Sequence, residues 1–501
     1  MNTETMLARI LPAIEEVIKE VVRQMVASSA PATLYDLEEQ TQAVLPRIGQ
    51  VLLQGFVTAQ GAGVVGPTRP CPCGTDQYYH DQARRLSVQT SVGLVRLEHR
   101  AAYHCSGCAA TSYPLDEQLG LGQAGRMSRY LQEQCGWLLA VLPARMAQQT
   151  LVRFGWPAVA ASQIREHGEA LGAELEQEVQ AHLTLAQQEV AEHSSRQTPV
   201  RQEPREERLY AAPDGMMYCT TERDPQTGKA RWRELKVAAV YEGRPTDDWD
   251  QTKDQSATRA EALAHEPVRT RLMRWLCEQE QASSVAAPDQ ASHVTYVAET
   301  GPWEAFGPRL WAELWARGMG RLVQDVVVVA DGSDHIEQVV DNELRLPGIQ
   351  LTRILDIAHA QEHLWAVSTA AFGEGSAAAR AWVQRPLTAL ERGQVATVLA
   401  ALEMLAQERE QTTPVVAELA RKTAAYFARR GEQVDYPSFV AAGKQIGSGL
   451  AESACKRFGT DRMKGAGMRW TVQGAQYVAT LRVFVLSERW HEVSAHCRKA
   501  A

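Results

Sequence analysis

The sequence predicts a multidomain protein of mixed α+β and α/β class. An α/β core is interrupted by a helical insertion and preceded by helical segments and a small cysteine-bearing β module. Three observations predict this. The chain has 501 residues, more than one ordinary domain holds. Its apolar period changes along the chain, from helical to short alternating runs and back to helical. Beyond Arg208 strand-like and helical runs alternate, and Val326–Val329 is a continuous β-branched run suited to a strand buried on both faces.

Residues 1–65 form the first region. Leu7, Ile10, Leu11, Ile14, Val17, Ile18 and Val21, then Leu34–Leu37 and Val44–Phe56, have helical spacing and predict a hairpin that packs on itself or on a second protomer. Residues 66–122 turn to alternation (Leu86–Val92, Leu94–Leu97) between two cysteine pairs, a zinc-ribbon-like module. Residues 123–193 are helical again. Within them, Pro143–Gly172 reads as a helix, a turn at Gly155-Trp156 and a second helix, which suits either a helix-turn-helix or a plain helical hairpin. In the first case Gln163 and Arg165 are the candidate readers of bases or phosphates. Residues 194–207, with two prolines, many charges and no apolar period, read as a linker.

The core is expected over 208–372 and 441–490, with 373–440 as the helical insertion. Strand candidates are Leu209–Ala212, Met216–Thr220, Leu235–Tyr241 and Val294–Val297; a polar stretch and a helix at about Arg244–Gln290 separate the last two. A helix at about Trp303–Arg317, the buried strand Val326–Val329, and a short strand Arg353–Ile357 leading into a helix follow. Strands, helix, buried strand, helix, strand is the order of a ribonuclease-H-like sheet.

Composition narrows the class. The formal charge of −8 does not by itself announce a nucleic-acid partner, although a local basic face is compatible with it. No apolar run approaches the roughly 20 residues that span a bilayer. Glu15, Glu16 and Glu20 in the first periodic stretch do not suit a signal peptide, so a cytoplasmic protein is expected. Cys71, Cys73, Cys105 and Cys108 cluster, while Cys135, Cys219, Cys277, Cys455 and Cys497 are scattered. In a reducing compartment that pattern points to one tetrahedral structural zinc rather than to disulfides, with His104 as a neighbour of the ligands.

Two aspartates fall at informative places: Asp214 in Leu-Tyr-Ala-Ala-Pro-Asp-Gly, at the end of the first strand candidate, and Asp331 in Val-Val-Val-Val-Ala-Asp-Gly, after the buried run. Strand ends bring carboxylates from distant sequence together, and carboxylates are what pairs of hard divalent cations need for phosphoryl transfer. Glu452, in Gly-Ser-Gly-Leu-Ala-Glu, is the candidate third carboxylate from a helix passing over the sheet. Plainer readings exist. Pro213-Asp214-Gly215 is also a hairpin-turn signal, Glu452 is spaced to pair with Lys456, and Asp334 competes with Asp331.

The stretch Ile446–Trp490, with its Gly-Ser-Gly-x-x-Glu, together with the two Asp-Gly motifs and the cysteine unit, resembles bacterial insertion-sequence transposases of the Kra branch. The resemblance implies a DDE catalytic triad of Asp214, Asp331 and Glu452 holding two Mg2+ or Mn2+ ions, DNA end cleavage and strand transfer, and a homo-oligomer on DNA. After Asp331 the chain departs from the family's aromatic-rich run and reads Gly-Ser-Asp-His-Ile-Glu, which suits a DNA-binding relative that no longer cuts. Around Glu452, Lys456, Arg457, Arg462, Lys464 and Arg469 make a locally basic tail suited to phosphates, and Trp470 suits stacking on an unpaired base. One motif points elsewhere: His359-Ala-Gln-Glu-His363 matches H-x-x-E-H, a zinc-peptidase pattern.

Overall fold

A computed structural model describes residues 3–27, 33–121, 126–195, 207–245, 268–278, 286 and 288–499. The chain divides into two compact units, Met1–Glu176 with Thr480–Ala501, and Gln177–Ala479.

In the first unit, α1 (Thr3–Ala27) and α2 (Leu34–Ala59) form the expected hairpin, and Thr33 and Asp36 close a capping box at the start of α2. Ile10 of α1 is buried where Gly55 of α2 leaves room for it. Six short strands follow: β1 (Thr68–Pro70), β2 (Asp76–Asp81), β3 (Leu86–Thr90), β4 (Gly93–Leu97), β5 (Ala102–Cys105) and β6 (Thr111–Ser112). β1, β2, β5 and β6 make an antiparallel sheet in that order, and β3 pairs with β4. Helix α2 lies along the free edge of β4: Gln50 Nε2 donates to Leu94 O (2.6 Å), Gln54 Nε2 to Arg96 O (2.8 Å), and Arg96 N–H to Gln54 Oε1 (2.8 Å). Side-chain amides thus satisfy backbone groups that an exposed edge would offer to another chain.

Helices α3 (Pro114–Gln118), α4 (Arg129–Val141), α5 (Ala144–Arg153) and α6 (Ala161–Ser195) follow. Ala140, Leu171, Leu175, Leu481, Phe484, Val493 and Cys497 share one core. The residues from Thr480 onward therefore belong to this unit rather than to the expected core segment 441–490. The connection from α5 to α6, Phe154–Ala160, exceeds the three- to four-residue turn of a helix-turn-helix, and Gln163 is engaged in accepting from Ala160 N–H (3.3 Å). Arg165 is exposed on α6. Of the expected linker, 196–206 lie outside the described residues, as do 246–267 of the polar stretch.

The second unit is built on a five-stranded sheet of β7 (Arg208–Arg223), β8 (Ala230–Pro245), β9 (Asp289–Glu299), β10 (Asp325–Ala330) and β11 (Gln350–Leu355), in the order β11-β10-β7-β8-β9. β7, β8 and β9 are antiparallel neighbours; β10 and β11 run parallel to β7. Helices α7 (Val268–Glu278), α8 (Trp303–Ala316) and α9 (Asp334–Val339) are interleaved with these strands. Phe306, Leu310 and Leu314 of α8 share a core with Leu209, Ala211, Val240, Val326 and Val328 on one face of β10, and Val327 and Val329 are buried on the other, which explains the all-apolar run.

One expectation is corrected. Leu209–Ala212 and Met216–Thr220 are a single strand, and Asp214 lies within it rather than at its end. The ladder to β8 continues through Pro213↔Ala238, Asp214↔Val237 and Gly215↔Lys236, overriding the local turn signal. On its other side β7 pairs with β10 only over Leu209–Ala211, so Pro213, which lacks an N–H, sits where that second ladder has ended.

Beyond β11 the chain is helical as expected: α10 (Ile357–Phe372), α11 (Ala377–Glu391), α12 (Val395–Arg409), α13 (Pro414–Arg429), α14 (Tyr436–Ala441), α15 (Gly449–Phe458), α16 (Val472–Leu486) and α17 (Trp490–Lys499). The segment between α14 and α15 is tied to the sheet at several points. Gln445 N–H donates to Tyr210 Oη (3.2 Å), Gln445 Nε2 to Asp289 O (3.0 Å), and Ile357 N–H to Ile446 O (3.1 Å). This fixes the start of α15.

Gly332 takes φ = 73°, and a Cβ there would lie 2.7 Å from Arg430 Nε and 2.8 Å from Leu355 Cδ1. Gly332→Ala is expected to cost about 1–3 kcal/mol in denaturant unfolding; an unchanged midpoint would contradict the turn geometry beside Asp331.

Candidate functional site

The parallel registers place three aspartates level with one another. β10 pairs with β7 as Val326↔Leu209, Val327↔Tyr210 and Val328↔Ala211, and continuing that register sets Asp331 opposite Asp214. β10 pairs with β11 up to Ala330↔Leu355, so the next position sets Asp331 opposite Asp356, whose N–H donates to Ala330 O (2.8 Å). Asp214, Asp331 and Asp356 thus belong to three neighbouring strands at one level, where β10 and β11 end.

Asp356 is buried and caps α10. Its Oδ1 accepts from Ala358 N–H (2.6 Å) and His359 N–H (3.2 Å), and its Oδ2 from Ser448 N–H (2.6 Å) and the Ser448 hydroxyl. Burial alone would raise this carboxyl, but His359 and Ser448 outweigh it and hold it at about 2. His359 Nδ1 lies 3.8 Å from Asp356 Oδ1. The interaction with Asp356 raises His359 to about 9 against the effect of burial, and the Asp331 charge adds to the shift.

Helix α15 packs on β7 and β8. Ser448, just before it, is fastened to Asp356; Cys455, within it, donates its thiol to Asp214 Oδ2 (3.1 Å). Glu452 stands between these two anchors in the sequence and is exposed. A Glu452 oxygen, a His359 ring nitrogen and an Asp356 oxygen lie within 4.8 Å of one another. Among the described residues no ion pair joins Glu452 to Lys456. Asp214 is raised by burial and by the Asp331 carboxylate, while Cys455 and the Gly215 N–H (2.7 Å to Oδ1) oppose the shift. A buried carboxyl raised by burial and by a neighbouring carboxylate marks a place where a cation is welcome.

Asp331 Oδ1 accepts from Ser333 N–H (2.8 Å), and its carbonyl accepts from Tyr426 of α13 (2.6 Å). Its competitor Asp334 pairs with Arg430 (2.8 Å) and Arg429 (3.6 Å) and is a structural ion-pair partner. Asp214, Asp331 and Glu452 do not form a group as tight as that of Asp356, His359 and Glu452. Asp356 and Cys455 are the site residues that sequence reasoning missed. Asp356 carried a signal, because it follows a strand and precedes a helix, as Asp331 does.

The peptidase pattern requires His359 and His363 as joint ligands. His363 instead lies against the Tyr426 ring, with centroids 4.3 Å apart, and among the described residues it joins no cluster of metal-ligating side chains. That reading is set aside.

Of the basic tail, Lys456, Lys464 and Arg469 are exposed, while Arg457 donates to Tyr296 Oη (2.8 Å). Two expectations are corrected. Arg462 is only 2% exposed and lies over the Trp470 ring (4.8 Å), so it is not a surface cation. Trp470 is half-buried, with Arg462 over its ring and its indole N–H donating to Met463 O (3.0 Å), so its side chain is engaged within the protein; its backbone pairs with β7 through Cys219 O and Thr221 N–H.

In the first unit, Cys71, Cys73, Cys105 and Cys108 converge as expected, their sulfurs within 4.8 Å of one another. Cys71 and Cys108 sulfurs are 3.6 Å apart, and those of Cys73 and Cys105 3.4 Å. These separations are too long for disulfides and near the roughly 3.8 Å edge of a sulfur tetrahedron around zinc. The Thr75 hydroxyl first, then the Cys108 N–H, lower Cys105 to about 6. The Ala110 N–H favours the Cys108 thiolate, but the three other cysteines and burial push it up to about 12. Four thiols this close cannot all ionise without a cation, and the set fits zinc. His104 contacts Thr111 Oγ1 (2.7 Å) and the His80 ring rather than joining the ligands.

Comparison with known proteins adds no relative: no protein-family model and no curated protein matches the chain. Among the described residues no helix is long and apolar enough to cross a membrane.

Two outcomes are expected. Because Asp356 is depressed to about 2, its stabilisation, about 2 kcal/mol, is complete above the usual carboxylate range and disappears as pH falls through about 2. The stability gap between wild type and Asp356→Asn should therefore shrink on acidification; a pH-independent gap would contradict this. Cys105→Ser should remove bound zinc, read by metal analysis of the purified chain; retention at the wild-type level would exclude the tetrathiolate site.

Proposed function

We propose that this protein is a DDE transposase with a ribonuclease-H-like core, in which Asp214, Asp331 and Glu452 hold two Mg2+ or Mn2+ ions. The reading is carried by the β7–β10 register, which when continued past Ala211 sets Asp331 opposite Asp214, and by the helix that carries Glu452 and is anchored to Asp214 through Cys455. Three antiparallel strands, the third reached through α7, followed by helix, strand, helix and strand, support the core assignment.

The ions would activate the attacking oxygen and neutralise charge on the scissile phosphate. Asp214 and Asp331 bind them from the sheet, and Glu452 from α15. Exposed Lys456, Lys464 and Arg469 supply phosphate contacts beside the carboxylates. The zinc module is structural, and Arg165 adds a DNA contact from the first unit. The chemistry is hydrolysis at the ends of a DNA element, followed by attack of the freed 3′-hydroxyl on target DNA. The protein acts as a homo-oligomer on DNA in the bacterial cytoplasm.

A second reading, a DNA-binding relative that no longer cuts, draws on the closer grouping of Glu452 with Asp356 and His359 than with Asp214 and Asp331. The two separate in one experiment. With Mn2+ and DNA carrying the element's ends, Asp214→Asn, Asp331→Asn and Glu452→Gln should each lower cleavage about a hundredfold or more while leaving binding intact. Wild-type binding without cleavage would select the second reading, and full cleavage by all three variants would overturn the first.

A further inference from the structure

We propose that His359 and Glu452 share a divalent transition-metal ion, with Asp356 as the carboxylate that orients the imidazole. The inference rests on the proposed function only in taking Glu452 as a metal ligand; it adds a nitrogen donor and a metal preference.

The donor atoms of the three residues lie within 4.8 Å of one another. Two donors about 2.0–2.2 Å from one ion are at most about 4.4 Å apart, so a small side-chain rotation closes the site. Asp356 is not one of the ligands. A carboxylate offers about four lone-pair positions, and Asp356 already receives Ala358 N–H, His359 N–H, Ser448 N–H and the Ser448 hydroxyl. Standing 3.8 Å from His359 Nδ1, it acts on the imidazole through its charge, from the side of the ring opposite the metal-binding nitrogen.

The other two side chains are available. The His359 side chain is 32% exposed, and with Nδ1 turned to Asp356 the ring leaves Nε2 as the metal-binding nitrogen. Glu452 is exposed, at a helix start fixed from both sides by Ser448 and Cys455. His363 is occupied with Tyr426 and contributes nothing. A mixed nitrogen and oxygen donor set favours Mn2+, Co2+ or Zn2+ over Mg2+, which prefers oxygen and its own waters.

The test uses the full-length, zinc-loaded protein without DNA, titrated with MnCl2 and followed by electron paramagnetic resonance. Bound Mn2+ should show nitrogen-14 spin-echo modulation from a histidine. His359→Gln should remove that modulation and raise the Mn2+ dissociation constant about tenfold or more. Glu452→Gln should weaken binding similarly, Asp356→Asn should weaken it while the protein remains folded by circular dichroism, and His363→Gln should change nothing. Wild-type Mn2+ without nitrogen modulation, or modulation that survives His359→Gln, would overturn the inference. Binding lost in Asp214→Asn and Asp331→Asn but unchanged in His359→Gln would also overturn it and leave the proposed triad standing. Binding lost in His359→Gln and Glu452→Gln but unchanged in Asp214→Asn would support it and count against the triad.

Discussion

Asp356 keeps a negative charge inside the second unit, and the geometry around it follows from how that charge is compensated. Removing an ionised carboxylate from water is costly unless donors replace the lost hydration. Here the donors come from two directions: backbone N–H groups at the start of α10, and both the amide and hydroxyl of Ser448. One side chain therefore joins the end of β11, the beginning of α10 and the approach to α15. Glu452 and His359 owe their proximity to this joint, because each lies within a few residues of a group that Asp356 holds.

The helical insertion contributes to the same corner. Tyr426 and Arg430, at the end of α13 and just beyond it, hold the Asp331 carbonyl and the Asp334 carboxylate. The turn after Asp331 is thus fixed from outside the sheet, while Asp356 fixes the next strand end from within. The cysteine module uses different chemistry. Its thiols compete for ionisation, and a bound cation would resolve that competition without needing an extended core in a small sheet.

Much of this was legible in the sequence, and what was not has a common cause. Periodicity located the α1–α2 hairpin, the insertion, the buried strand at Val326–Val329 and the cysteine module, because each is decided by local pattern. The unbroken course of β7 through Pro213-Asp214-Gly215 was not legible. It depends on β8, whose ladder outweighs the turn preference of those three residues. The same holds for Arg462 and Trp470, whose types suggest a DNA surface but which are satisfied by each other and by β7. Gln163 likewise looked like a base reader and serves a helix start. Asp331 was found because a strand end leaves a trace in sequence, and Asp214 because its Asp-Gly imitates one; Cys455 was not, because a thiol on a helix face leaves none.

Placing the acidic groups on neighbouring strands also separates their positions from the length of the connections. The segments that join Asp214 to Asp331 and Asp356 to Glu452 include 246–267 and the helices α11 to α14, yet the carboxylates are located by strand pairing and by one buried joint. Lengthening such a connection raises the entropy of loop closure only logarithmically, about 0.6 kcal/mol for each doubling. Segments can therefore be inserted between these residues over evolutionary time while the acidic groups keep their positions.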